Sequence, residues 1–209
     1  MDKINDTTPC SYSKTVEETK QSTGKISELA RPTDNCSWYA VYVFKNQGEE
    51  FCRFCTDNGL TTFVPMEMKP YLDNKEKVHQ KLVPVIRNLV FLKKDREEKE
   101  IKTILETGIL PIRVLCKQEN KTVFYIIPAT QMHEFQLMCD PEITMHKYLT
   151  EQEAKLKKGT PVRVKYGLLK GLTGKLVRSD KKYYLLKEVP GIGVMLKVSR
   201  WCCEKINES

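Results

Sequence analysis

The sequence predicts an α+β fold: an antiparallel sheet with helices over residues 36–140, followed by a small closed β-barrel over residues 157–206. Three observations predict it. Runs of aromatic and β-branched residues alternate with amphipathic stretches from residue 37 to 139. After residue 159 the pattern changes to short strand-like segments broken by glycine turns, too short a stretch for an open sheet. The charge divides at the same place. Of the 209 residues, 159–206 hold 11 Lys/Arg against 3 Asp/Glu, whereas 1–158 hold 24 against 23.

Residues 1–35 are rich in Thr, Ser, Lys, Glu and Asp and poor in branched and aromatic residues. Such a segment buries too little surface to offset its ordering entropy and reads as a disordered tail, with a transient helix over 16–29. Strand structure begins at Trp38-Tyr39-Ala40-Val41-Tyr42-Val43-Phe44. Residues 47–58 follow as an amphipathic helix with Phe51, Phe54 and Cys55 on one side, stopped at Asn58-Gly59. A second strand covers 61–66. The charged stretch 69–80 reads as a hairpin loop, and 82–92 as one long strand with Pro84 at its start.

Asp95 is the expected N-cap of the next helix, with Glu97 and Glu98 in its first turn and an end near Gly108. Residues 112–116 and 123–127 read as two short strands around the polar turn 118–121. Residues 128–139 read as a helix with Met132, Phe135 and Cys139 at helical spacing. Residues 141–156 read as a linker, since the stretch 151–158 is charged and lacks core residues. The barrel strands are expected at 160–165, 173–179, 183–187 and 194–198.

The chain offers little for catalysis. His79, His133 and His146 are scattered, and no phosphate-binding glycine loop is present. The eight cysteines read as free thiols, most of them among apolar neighbours. Cys52 and Cys55 lie within a helix rather than before one, which argues against a redox pair or half a zinc site. No cofactor and no metal are expected. No apolar run reaches the length of a membrane span, and no signal segment opens the chain, so a cytoplasmic, monomeric protein with no membrane partner is expected.

The sharpest motif lies in the last unit. Val162-Arg163-Val164-Lys165-Tyr166-Gly167 leads through Lys170-Gly171-Leu172-Thr173-Gly174-Lys175-Leu176-Val177, with three glycines around one turn. The turn needs positive φ and close approach of two chains. The pattern resembles the KOW motif of NusG-type factors and some ribosomal proteins. Upstream, Ser37-Trp38-Tyr39-Ala40-Val41-Tyr42 is similar to the opening strand of NusG N-terminal domains, and Phe63-Val64-Pro65 to their second strand. Residues 81–92 lie where the family carries its central strand, and Ile126-Ile127-Pro128 with Met132 matches the entry into its last helix. Arg87-Asn88 replaces the family's Pro-Gly, and Leu89 its following aromatic. This departure and the long tail resemble the specialised UpxY paralogues, antiterminators linked to capsular polysaccharide operons.

The resemblance implies a non-enzymatic transcription antitermination and elongation factor that binds RNA polymerase. Trp38, Tyr42, Phe63, Pro65, Ile86 and Leu89 would form an exposed apolar concavity gripping the polymerase clamp helices, as helix-in-groove recognition requires. Domain core is the competing reading of the same residues. Lys165, Gly167, Lys170, Gly171, Gly174, Lys175 and Arg178 would form the partner-binding KOW turn. A ribosomal protein or termination factor Rho is its implied partner, and salt-sensitive nucleic-acid contact is the other reading. The alternative function is a ribosome- or RNA-binding KOW protein.

Overall fold

The structure, a computed structural model, describes residues 34–74, 76–117, 123–141, 146–167 and 169–206. The expected tail, apart from Asp34 and Asn35, and the 118–121 turn lie outside the described residues.

Strand β1 (Ser37–Val43) is central in a four-stranded sheet ordered β2-β5-β1-β6, with β2 (Thr62–Phe63), β5 (Leu89–Lys94) and β6 (Ile112–Val114). Its neighbours run antiparallel, with Tyr42 opposite Leu89 and Ala40 opposite Phe91 on β5. Alternation along β1 and β5 sends Tyr39, Val41, Val43, Val90 and Leu92 to one face. There they pack on Phe51, Cys52 and Cys55 of α1 (Gly48–Asp57) and Ile101 of α2 (Glu98–Thr107). The opposite face presents Trp38, Ala40, Leu89 and Phe91 to Met132, Phe135 and Met138 of α3 (Ala129–Met138).

Three elements of this half differ from expectation. The stretch 69–80 is not a loop: β3 (Met66–Leu72) and β4 (Val78–Pro84) pair into a two-stranded ribbon around the turn at 73–77. Both ribbon faces are largely exposed, so no buried-face alternation marks the strands in the sequence. The single strand expected over 82–92 is broken at 85–88, where Val85 N donates to Pro65 O and Leu89 N to Ile86 O. The strand expected at 123–127 is reduced to bridges, Cys116 with Phe124 and Trp38 with Ile127. The N-cap of α2 is Glu97 rather than Asp95, which pairs with Arg96 at 3.0 Å.

The second half is a six-stranded antiparallel sheet, ordered β12-β8-β9-β10-β11-β7. Its strands are β7 (His146–Thr150), β8 (Thr160–Val164), β9 (Thr173–Ser179), β10 (Lys182–Val189), β11 (Ile192–Lys197) and β12 (Cys203–Lys205). Two corrections follow. Much of the expected linker is folded: β7 pairs along β11, and α4 (Glu151–Leu156) follows it directly. A capping box starts α4, Thr150 Oγ1 accepting from Glu153 N and the Glu153 carboxylate accepting from Thr150 N. Nor does strand pairing close a barrel among the described residues, since β12 and β7 end the sheet without pairing to each other. The added strand β7 occupies the outer side of β11.

Core packing joins the two halves. Val162, Val164, Leu172, Leu185, Val189, Ile192, Val194 and Leu196 belong to the same apolar cluster as Trp38, Leu89, Phe91 and the α3 residues. No helix among the described residues is long and apolar enough to cross a membrane.

Candidate functional site

The first-sheet face is built by strand alternation. Trp38 and Tyr42 leave β1 on the side where Leu89 leaves β5 and Phe63 leaves β2. Phe63 lies 6.2 Å from Phe91 and edge-on to Phe135 at 6.5 Å between ring centroids. Ile86 reaches the same cluster from the break between β4 and β5. Pro65 is buried in the link that follows β2, its carbonyl accepting from Val85 N. The structure therefore gathers Trp38, Tyr42, Phe63, Ile86 and Leu89 on one apolar face, with Pro65 at its border.

That face is not the exposed concavity the resemblance implies. Leu89 is 0% exposed and Trp38 8%, while Tyr42, Phe63 and Ile86 are half-buried. The cover is α3 together with the second sheet. Gly191, in the β10–β11 turn, meets Leu89 most closely: a Cβ there would lie 2.9 Å from Leu89 Cδ2 and 3.4 Å from the Tyr42 hydroxyl. Its φ of +92° is also one that side chains rarely adopt. Both properties require glycine where the turn seats on β5.

Polar contacts fix this cover. Gln131 Nε2 of α3 donates to Glu188 O of β10 at 2.8 Å. Glu134, 8% exposed, accepts from Thr173 N at 3.1 Å and Thr173 Oγ1 at 2.8 Å, and pairs with Lys187. A carboxylate this deep is tolerable only because its oxygens are occupied. Tyr148 Oη of β7 donates to Met66 O at 3.3 Å, tying the second sheet to the ribbon's base. An open cleft of about 800 Å³ lies beside that bond, lined by Glu67, Ile86, His146, Tyr148 and Ile192 among others. Burial, and then the Glu151 charge, push the Tyr42 phenol above its usual range, with Arg113 opposing. Glu151 also accepts from Gly191 N at 3.0 Å.

The glycine-turn residues divide. Gly167 and Gly171 have positive φ. Gly174 allows strand approach, since a Cβ there would lie 2.5 Å from Leu186 O. The basic residues go separate ways. Lys175 pairs with Glu188 on the half-buried side, and Lys165 lies 3.5 Å from Glu204. The Arg178 guanidinium lies 5.8 Å from the centre of the Tyr183 ring, and Lys170 is exposed beyond Gly167. Sequence reading missed Glu134, Thr173 and Lys187, whose one signal is a carboxylate inside the apolar stretch of α3. It also missed the seating of Gly191 on Leu89.

Cys52, Cys55 and Cys139 are buried thiols, and burial pushes that of Cys55 up to about 12. Among the described residues, no group of three or more His, Cys, Asp or Glu is placed to hold a metal.

A search of curated proteins finds no match to the chain. Comparison with protein-family models does find one, over the segment that holds all six residues of the apolar face and its border. Residues 36–136 match the NusG family, described as transcription termination factor nusG, and this supports a NusG-family domain in the first half of the chain.

Proposed function

We propose that the chain is a transcription elongation and antitermination factor, acting in the cytoplasm by binding rather than by catalysis. The first-half domain binds the clamp helices of RNA polymerase through Trp38, Tyr42, Phe63, Pro65, Ile86 and Leu89. It thereby holds the clamp closed on the template and suppresses pausing. The single observation that carries this reading is the convergence of Trp38, Tyr42, Phe63, Ile86 and Leu89 on one apolar face within the NusG-matched segment.

The second half is a KOW-type unit that recruits a further partner, for which a ribosomal protein or Rho is proposed. The replacement of Pro-Gly by Arg87-Asn88 supports a specialised, UpxY-like role on particular operons, capsular polysaccharide operons among them.

Polymerase and the second sheet compete for the same face. Binding therefore requires the second sheet and its turn at Gly191 to leave Leu89. If only a fraction of molecules is open, the apparent affinity falls by that fraction. Variants that loosen the cover should bind polymerase more tightly.

The test is transcription in vitro across a mapped pause. Shorter pauses with the wild-type protein, and shorter still with Glu134→Ala, support the reading. Unchanged pausing with both proteins in excess over polymerase contradicts it.

A further inference from the structure

Trp201 and Tyr166 form a stacked pair at one end of the second sheet, with ring centroids 6.2 Å apart and planes inclined by 28°. Trp201 is 75% exposed and Tyr166 56%. Two large rings stacked on each other in solvent add nothing to a core, and their outer faces are open to a planar ligand.

The backbone beneath them is firmly held. Lys165 N donates to Cys202 O at 2.7 Å, and Cys202 N to Ser199 O at 3.0 Å. Val164 pairs with Cys203 across β8 and β12. A platform already ordered loses little entropy on binding.

Its surroundings are cationic. Lys165 precedes Tyr166 in the chain, and Arg200 precedes Trp201. The Arg200 and Arg178 guanidinium groups lie 5.9 and 5.8 Å from the centre of the Tyr183 ring. Exposed Lys170 closes the turn that follows Tyr166, its N–H donating to Gly167 O at 3.1 Å. Glu204 is the carboxylate at this end, 3.5 Å from Lys165. The unit as a whole, residues 159–206, carries a net charge of +8.

We propose that Trp201 and Tyr166 are a stacking site for unpaired bases of a single-stranded nucleic acid, with Arg200, Lys165 and Lys170 meeting its phosphates. Aromatic faces interleaved with cations serve this ligand because every base has a π-face and every link carries a negative charge. A protein partner would instead place its anchors in an apolar, water-excluding surround. Here the two rings stand exposed, with Arg200 and Lys165 next to them in the chain. The site lies outside the NusG-matched residues, and its occupation does not depend on polymerase binding.

The chain has two tryptophans, and Trp38 is buried, so added base quenches chiefly Trp201. The full-length protein is titrated with oligo-U RNA, oligo-dT of equal length and polyglutamate. Affinities of variants are read from the anisotropy of labelled oligonucleotide. Saturable quenching by a nucleic acid but not by polyglutamate is expected, and RNA against DNA preference identifies the source of the strand. Trp201→Ala and Tyr166→Ala should each weaken binding about five- to a hundredfold, the range of one base–aromatic stack. Trp201→Phe should retain most of it, and Arg200→Ala should flatten the salt dependence. Circular dichroism first establishes that each variant is folded. Equal binding by Trp201→Ala and wild type, or no binding of either strand, overturns the proposal. Equal quenching by polyglutamate overturns it in favour of an acidic protein surface.

Discussion

Gly191 seats against Leu89 so closely that a Cβ would stand 2.9 Å from Leu89 Cδ2. Replacement by alanine adds both this clash and the strain of a left-handed φ. Gly191→Ala should lower stability by about 1–3 kcal/mol, the usual cost of overpacking. Leu89→Ala in the same chain relieves the clash, so the two changes should be less than additive in urea unfolding. Strict additivity would show that the turn does not seat on Leu89.

Glu134 and Lys187 form a mostly buried pair that joins α3 to β10, with Thr173 completing it. Removing one partner leaves the other charge buried, and Glu134→Ala should cost about 3 kcal/mol. Glu134→Leu with Lys187→Met removes both charges and should recover much of that loss. A double variant no better than the single one would argue against the pairing.

Two glycines of the same turn region should differ. Gly174→Ala drives a Cβ to 2.5 Å from Leu186 O, and the strand must shift. Gly167 has nothing within 4 Å of the built Cβ, so Gly167→Ala meets only its φ of +85°, about 1 kcal/mol. Urea midpoints should fall clearly further for the Gly174 variant.

Burial raises the Cys55 thiol to about 12, from a model-compound value near 9. A folded value above the unfolded one means the stabilising contribution is complete below pH 9 and is lost as pH rises towards 12. Stability should therefore decline above pH 9, less steeply in Cys55→Ala. Native protein at pH 8 should also leave Cys55 unlabelled by iodoacetamide until denaturant is added. Rapid native labelling would contradict its burial.

Legibility in the sequence followed how many faces a segment buries. β1 was readable because aromatic and β-branched residues fill both of its buried faces, and α3 because Met132 and Phe135 recur at helical spacing. The ribbon β3–β4 was not, because Tyr71, Leu72 and Val78 stay exposed and its charges read as a loop. The segment 146–156 hid behind its charges, although Thr150 and Glu153 stand at capping-box spacing. Apolar residues of the face were identifiable, but not their cover. The contacts of Leu89 with Gly191 and of Glu134 with Lys187 join positions far apart in the chain, and no local pattern encodes such pairs.

Retention of purified RNA polymerase on immobilised protein tests the central claim most directly, comparing wild type, Glu134→Ala and Ile86→Asp, each shown folded by circular dichroism. Wild type is expected to retain polymerase, Glu134→Ala to retain more, and Ile86→Asp to lose it. Failure of both wild type and Glu134→Ala to retain polymerase would contradict the central claim.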